Sequence, residues 1–186
     1  MGITGASHGG IDPGSIYKAE YEKDYNLEFS LTLKNELEKL GATVILTRNG
    51  DYDLSSPNAS RRKRSDFDNR IKLIDEDKPD MYISLHMNSL SSPKYYGSQV
   101  FYSNSNTKNE DISKVVQKEL NAFFNLNRDY KKLSDDKYMF KRLESPGILI
   151  EYGFISSARD RANLKKEKYR KDLSKTICFA IIDYFT

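Results

Sequence analysis

Met81-Tyr82-Ile83-Ser84-Leu85-His86 is a short apolar run that closes on one of the chain's two histidines. Its length and its flanking polar residues predict a buried strand, with His86 at the carboxyl end. Working outward, strands and helices alternate. Upstream, Leu27, Leu31, Leu37 and Leu40 are expected on one helical stripe, with Phe29 and Leu33 beside it and Gly41 as the stop. Residues 43–47 read as a β-branched strand, 49–60 as a loop, and 61–76 as a helix that ends before Pro79. Downstream, 98–102 reads as a strand and 109–124 as a helix. Tyr138-Met139-Phe140 and Ile148-Leu149-Ile150 follow as expected strands, then helical segments over 160–166 and 169–184. This alternation predicts an α/β three-layer sandwich, a largely parallel twisted sheet flanked by helices, in a single domain spanning residues 1–186. Parallel sheets present functional groups at the carboxyl ends of their strands, where His86 and Glu151 both fall.

Composition narrows the function. Apolar residues make up 38% of the chain and charged residues 31%, with a mean hydropathy of −0.71, as expected of a polar, soluble globule. No apolar run reaches the length a transmembrane helix needs, and the first residues show no charged and apolar leader pattern. The single cysteine, Cys178, lies in an apolar run and is expected to be a buried small hydrophobe. A thiolate cluster and an intrachain disulfide are therefore excluded, and any metal must use histidine and carboxylate ligands. The net charge of +3 is too small to argue for a nucleic-acid partner. The cluster Arg61-Arg62-Lys63-Arg64 lacks interleaved aromatics and reads as a solvated helix start, with Arg64 and Arg70 partly pairing Asp66 and Asp68.

A catalytic zinc site needs about three protein ligands and an open position. His8 and His86 are the only imidazoles available. His8 is followed by Gly9-Gly10, which would let backbone approach a bound ion or substrate, and then by Asp12-Pro13-Gly14, a tight turn. Asp12 is expected to form that turn rather than to ligate. Glu22 and Glu20 both lie near the start of the first helix, where the dipole favours carboxylates, and either could be the acidic ligand. Glu151 ends an apolar strand, a costly place for a carboxylate unless it is paired or functional. Together these groups suit metal-assisted amide hydrolysis.

Four segments resemble, in order, the zinc-dependent N-acetylmuramoyl-L-alanine amidases of the Amidase 3 type: residues 8–14, 22–27, 84–89 and 146–156. Residues 44–48 and 96–102 are most similar to the germination-specific branch of spore-forming bacteria. The resemblance implies one zinc ion held by His8, Glu22 and His86, with Glu151 as catalytic acid–base, and it favours Glu22 over Glu20. It also implies cleavage of the amide between the lactyl group of N-acetylmuramic acid and L-alanine, serving muramic-δ-lactam formation in spore cortex. The expected partner is peptidoglycan, with an accessory protein possible, in an extracytoplasmic cell-wall or cortex compartment. In two places the chain departs from the family pattern. Gly5-Ala6-Ser7 precedes His8 in place of an apolar strand, so the first strand is expected to be short or missing. Ser156-Ser157 stands where Ser-Asn is common, a change expected to affect a turn. The alternatives are a zinc exopeptidase of related fold and a catalytically incomplete wall-binding protein that needs a partner.

Overall fold

The computed structural model describes residues 2–186, leaving aside the side chains of Ile3 and Thr4. Its central sheet has six strands in the order β4-β1-β5-β8-β6-β7. These are β1 (Gly2–Ala6), β4 (Val44–Leu46), β5 (Met81–Asn88), β6 (Gln99–Tyr102), β7 (Lys131–Lys132) and β8 (Gly147–Phe154). Every neighbouring pair is parallel except β6 and β8. A two-stranded hairpin, β2 (Ile16–Tyr17) and β3 (Glu20–Tyr21), leads into the first helix.

Alternation along the inner strands builds two cores. Met81, Ile83, Leu85 and Met87 of β5, with Ile148, Ile150 and Tyr152 of β8, face one side. There they meet α1 (Glu22–Lys39), α3 (Asn109–Phe124) and α5 (Glu167–Phe185). Tyr82 and Leu149 point the other way, onto Ile74 of α2 (Arg62–Asp77) and onto Leu133, Met139, Phe140 and Leu143. The period of two thus sends alternate residues into different layers. A mostly parallel sheet covered on both faces is the expected three-layer arrangement.

α1 carries Glu22, so its docking sets the site. Its buried face is Tyr25, Phe29, Leu33 and Leu37, a spacing of four that matches the helical repeat. Fully burying each such side chain contributes roughly 1.5–3 kcal/mol. Phe29 also stacks on Tyr152, with ring centroids 4.3 Å apart. This corrects the leucine stripe expected from the sequence: Leu31 and Leu40 are exposed and Leu27 only half-buried. Gly41 does stop the helix, with φ at +88°.

Two other expectations change. The first strand is present, and it lies in the sheet between β4 and β5 with five residues in register against β5. Tyr138-Met139-Phe140, expected as a strand, is instead part of a turn. Met139 and Phe140 fill the second core, while Tyr138 faces outward and fastens the segment to α2. Its hydroxyl donates to Asp68 at 2.5 Å, and its ring lies between the guanidinium groups of Arg64 and Arg142. Ser157, at the departure from the family pattern, caps α4 (Ala158–Leu164) by accepting from the Asp160 amide. Cys178 is buried and unpaired, as expected.

Candidate active site

Parallel pairing of β5 with β8 sets His86 directly opposite Glu151, in the carboxyl-terminal halves of the strands. β8 continues past Glu151 to Phe154 and β5 past His86 to Asn88, so neither residue ends its strand as the sequence suggested. The loop after β1 then delivers His8. His8 has φ at +63°, an unusual conformation for a residue with a side chain. Two buried arginines hold this backbone. Arg70 donates to the carbonyls of Ala6 and His8 at 3.0 Å each, and Arg48 donates to the carbonyls of Ala6 and Ser7. Arg70 is itself paired with Asp66 at 2.9 Å, in line with the expected intrahelical pairing. Arg64 pairs with Asp68 at the surface.

The turn after His8 returns the chain to it. Gly9 and Asp12 exchange two backbone hydrogen bonds, of 2.9 and 3.0 Å. Asp12 then accepts from the Gly14 amide with one carboxylate oxygen and from His8 Nδ1 with the other, at 2.9 Å. Asp12 is therefore a turn former, as expected, and also the orienter of the imidazole: with Nδ1 occupied, Nε2 faces inward. The glycines act differently from the expectation. A Cβ on Gly9 would lie 2.3 Å from the Tyr52 carbonyl oxygen, so that glycine admits protein backbone. At the cluster the close approach is made by Gly14, where a Cβ would lie 2.7 Å from both Glu22 Oε2 and His8 Cδ2.

Glu22 opens α1 and is 2% exposed. The first helical amides are capped by loop carbonyls, Glu22 N to Ser15 O and Lys23 N to Pro13 O. The Glu22 carboxylate accepts from the amides of Ser15 and Met87 at 2.8 and 3.1 Å. Its Oε1 lies 3.3 Å from His8 Nε2 and 3.1 Å from His86 Nδ1. One donor atom from each of His8, Glu22 and His86 falls within 4.8 Å of the others, a spacing that could hold a metal ion. The competing Glu20 is elsewhere, bonded to Tyr25, Arg161 and Lys165.

The electrostatics follow from this packing. Burial opposes charge on His8, but hydrogen bonds to Asp12 and Glu22 outweigh it and raise its pKa to about 9. Burial also raises Glu22, yet the two imidazoles hold its carboxyl far below the usual range. Desolvation pushes His86 down. Burial, followed by the nearby Glu22 charge, pushes Glu151 up to about 8. Glu151 Oε2 is buried without a hydrogen-bond partner among the described residues, a costly state that points to a functional role.

These groups line a groove of about 830 Å³ whose lining also includes Lys63, Phe67 and Arg70 of α2 and the adjoining residues 136–140. Residues legible only in three dimensions support it from behind. Asn26, one turn after Glu22, donates to Ser7 O at 3.2 Å and accepts from the buried Tyr152 hydroxyl at 2.9 Å. The spacing of Asn26 from Glu22, four residues along one helix face, was the available signal.

Residues 5–183 match the Amidase_3 family model, N-acetylmuramoyl-L-alanine amidase. The chain belongs to this family. It is 37% identical over 183 residues to the germination-specific N-acetylmuramoyl-L-alanine amidase of Bacillus subtilis, covering 96% of this chain and 77% of that protein. The CwlD amidase of Clostridioides difficile, solved in complex with the GerS lipoprotein, superposes with a TM-score of 0.91 at 34% identity, covering 99% and 97% of the two chains. An N-acetylmuramoyl-L-alanine amidase from Clostridium difficile 630 gives 0.84 at 25% identity, covering 99% and 95%. The amidase is therefore a hydrolase whose substrate is peptidoglycan, which sets aside the exopeptidase alternative. No helix among the described residues is long and apolar enough to cross a membrane.

Proposed function

We propose that residues 1–186 form one catalytic domain that binds a single zinc ion through His8, Glu22 and His86 and uses Glu151 as general acid–base. The reading rests on one observation: three compatible donors lie within 4.8 Å of one another, beside a buried carboxyl with an unpartnered oxygen. When bound, zinc supplies Lewis acidity toward the scissile carbonyl and the attacking water. Glu151 accepts the proton that the water loses as its oxygen bonds to the lactyl carbonyl carbon. It returns that proton to the alanine nitrogen as the carbon–nitrogen bond breaks. Asp12 holds the His8 imidazole through Nδ1 and leaves Nε2 free for the metal.

The products are a free lactyl carboxylate on muramic acid and a peptide with a free L-alanine amine. In the cortex of a spore such a stripped muramic acid is the precursor of muramic-δ-lactam, which fits the likeness to the germination-specific relative. The same likeness supports an extracytoplasmic, cell-wall or cortex location. The lipoprotein in the CwlD complex supports an accessory protein partner here. Mass spectrometry of muropeptides after incubation with the zinc-loaded chain should show unsubstituted muramic acid and new L-alanine amino termini. Release of single amino acids instead would defeat the assignment.

Zinc uptake should be linked to protons. In the metal-free protein His8 carries a proton at neutral pH, since its pKa is raised to about 9, and a ligating imidazole must be neutral. Apparent zinc affinity should therefore fall as pH falls below about 9, by about tenfold per pH unit, and level off above it. Calorimetry at pH 7 in buffers of different ionisation enthalpy should show about one proton released per zinc. Zero release would mean that His8 is already neutral or does not ligate.

A further inference from the structure

We infer that Lys137 recognises the free α-carboxylate of the second residue of the stem peptide, and so directs the peptide, not the glycan, along the arm of the groove beside α2. The inference rests on the amidase reading of the same site.

Two long cationic side chains besides Lys137 line this groove, and both are committed. Lys63 lies 3.3 Å from Asp12, and Arg70 is locked to Asp66 and to backbone carbonyls. Lys137 is exposed and forms no ion pair among the described residues. Its neighbour Asp136 also lines the groove but is turned to the Ser134 hydroxyl. Lys137 and Glu151 line the same groove. Its backbone is anchored, because Tyr138 is bonded to Asp68 of α2 and Met139 and Phe140 are buried in the second core.

The substrate's charges decide which part of it belongs there. The glycan strand is neutral along its N-acetylated sugars. The stem peptide has D-glutamate after L-alanine, linked through its γ-carboxyl, and its α-carboxylate lies one residue from the scissile amide. With that amide at Glu151, an unpaired ammonium on the adjoining wall meets this carboxylate and has no counterpart on the sugar. Amidation to isoglutamine removes the charge and leaves the shape unchanged, so Lys137 distinguishes the two forms.

Binding of the tripeptides L-Ala-D-isoGlu-L-Lys and L-Ala-D-isoGln-L-Lys to the full chain, followed by calorimetry, tests this directly. The acid should bind about fivefold more tightly, the scale of a solvent-accessible ion pair. Lys137→Met should bring the preference within about twofold, Lys137→Arg should restore it, and Lys141→Met, on the same segment, should leave it unchanged. Equal binding of the two peptides by the parent chain would overturn the inference, as would a Lys137→Met variant that weakens both alike. Turnover of the corresponding N-acetylmuramoyl peptides separates the two readings. A chain that prefers the acid yet cleaves neither defeats the hydrolytic assignment alone, whereas one that cleaves both without any preference defeats only the role of Lys137.

Discussion

Glu151→Gln should lower turnover by about 10²–10⁴-fold, the range set by loss of a positioned acid–base group, while zinc stays bound. The substitution keeps the shape of the side chain and removes its ability to carry a proton between water and the leaving amine. It should also leave the fold intact, because Glu151 Oε2 has no hydrogen-bond partner to lose among the described residues. The sign of the stability change depends on pH. In the metal-free protein the folded pKa is raised from 4.5 to about 8, so the native state holds a proton that the unfolded chain has released. Stability of the parent chain then falls as pH rises from 4.5 to 8, and the glutamine variant escapes that loss. Relative to the parent, metal-free Glu151→Gln should therefore melt higher at pH 8 than it does at pH 5. Loss of zinc from the variant would reassign Glu151 as a ligand. Retention of more than about a tenth of the turnover would remove it from the proton path.

Arg70→Met is the change expected to cost the most stability. Arg70 is 3% exposed and joins Asp66 of its own helix to the carbonyls of Ala6 and His8 and to the Thr47 hydroxyl. Methionine approximates the stem and leaves Asp66, itself 6% exposed, as a buried charge without its partner. Breaking a buried pair from one side costs about 3–5 kcal/mol. In a chain of this length that amounts to a fall of roughly 10 °C in Tm. Zinc affinity should fall with it, because the left-handed backbone of His8 loses its donor. Lys72→Met, on the exposed face of the same helix, should stay within about 0.5 kcal/mol. An Arg70→Met variant that melts within 2 °C of the parent chain, a shift of about 1 kcal/mol or less, would show that the arginine only fills space.

The sheet and the ligand cluster differ in how plainly the chain announces them. β5 and β8 are legible because both of their faces are buried, so they read as near-continuous apolar runs. β1 is hidden for the opposite reason. Gly2-Ile3-Thr4-Gly5-Ala6 has little strand propensity of its own, and its place is imposed by the neighbours it pairs with on both edges. At Gly5 a Cβ would meet the Ile83 carbonyl at 3.5 Å, so a small residue suits the spacing without signalling a strand. Tyr138-Met139-Phe140 misleads because a three-residue apolar run is too short for its period to be read, and here it caps a core from a turn. The leucines of α1 mislead because the buried stripe is built on aromatics, Tyr25 and Phe29, with a polar Asn26 and Ser30 beside them.

Within the site, His86 and Glu22 are visible through local context, one near a strand end and one in a helix's first turn. The choice between Glu22 and Glu20 is not local. A single residue, Tyr21, separates them, and the side chain of Glu20 is drawn away by Arg161 and Lys165, which lie more than 140 positions along the chain. The burial of Arg48 and Arg70 was equally illegible, since a basic residue after a strand or on a helix ordinarily faces solvent.

His86 and Glu151 are rungs of one ladder, and the residues on either side of them, Leu85, Met87, Ile150 and Tyr152, point into the larger core. A slip of one position between β5 and β8 would turn an imidazole or a carboxylate into that core and push a leucine or isoleucine into the groove. Such an arrangement is too unstable to persist as a folded but inert form. The amidase thus carries its own proofreading: a molecule that has closed its hydrophobic layer has, by the same act, aligned the two groups that line its groove.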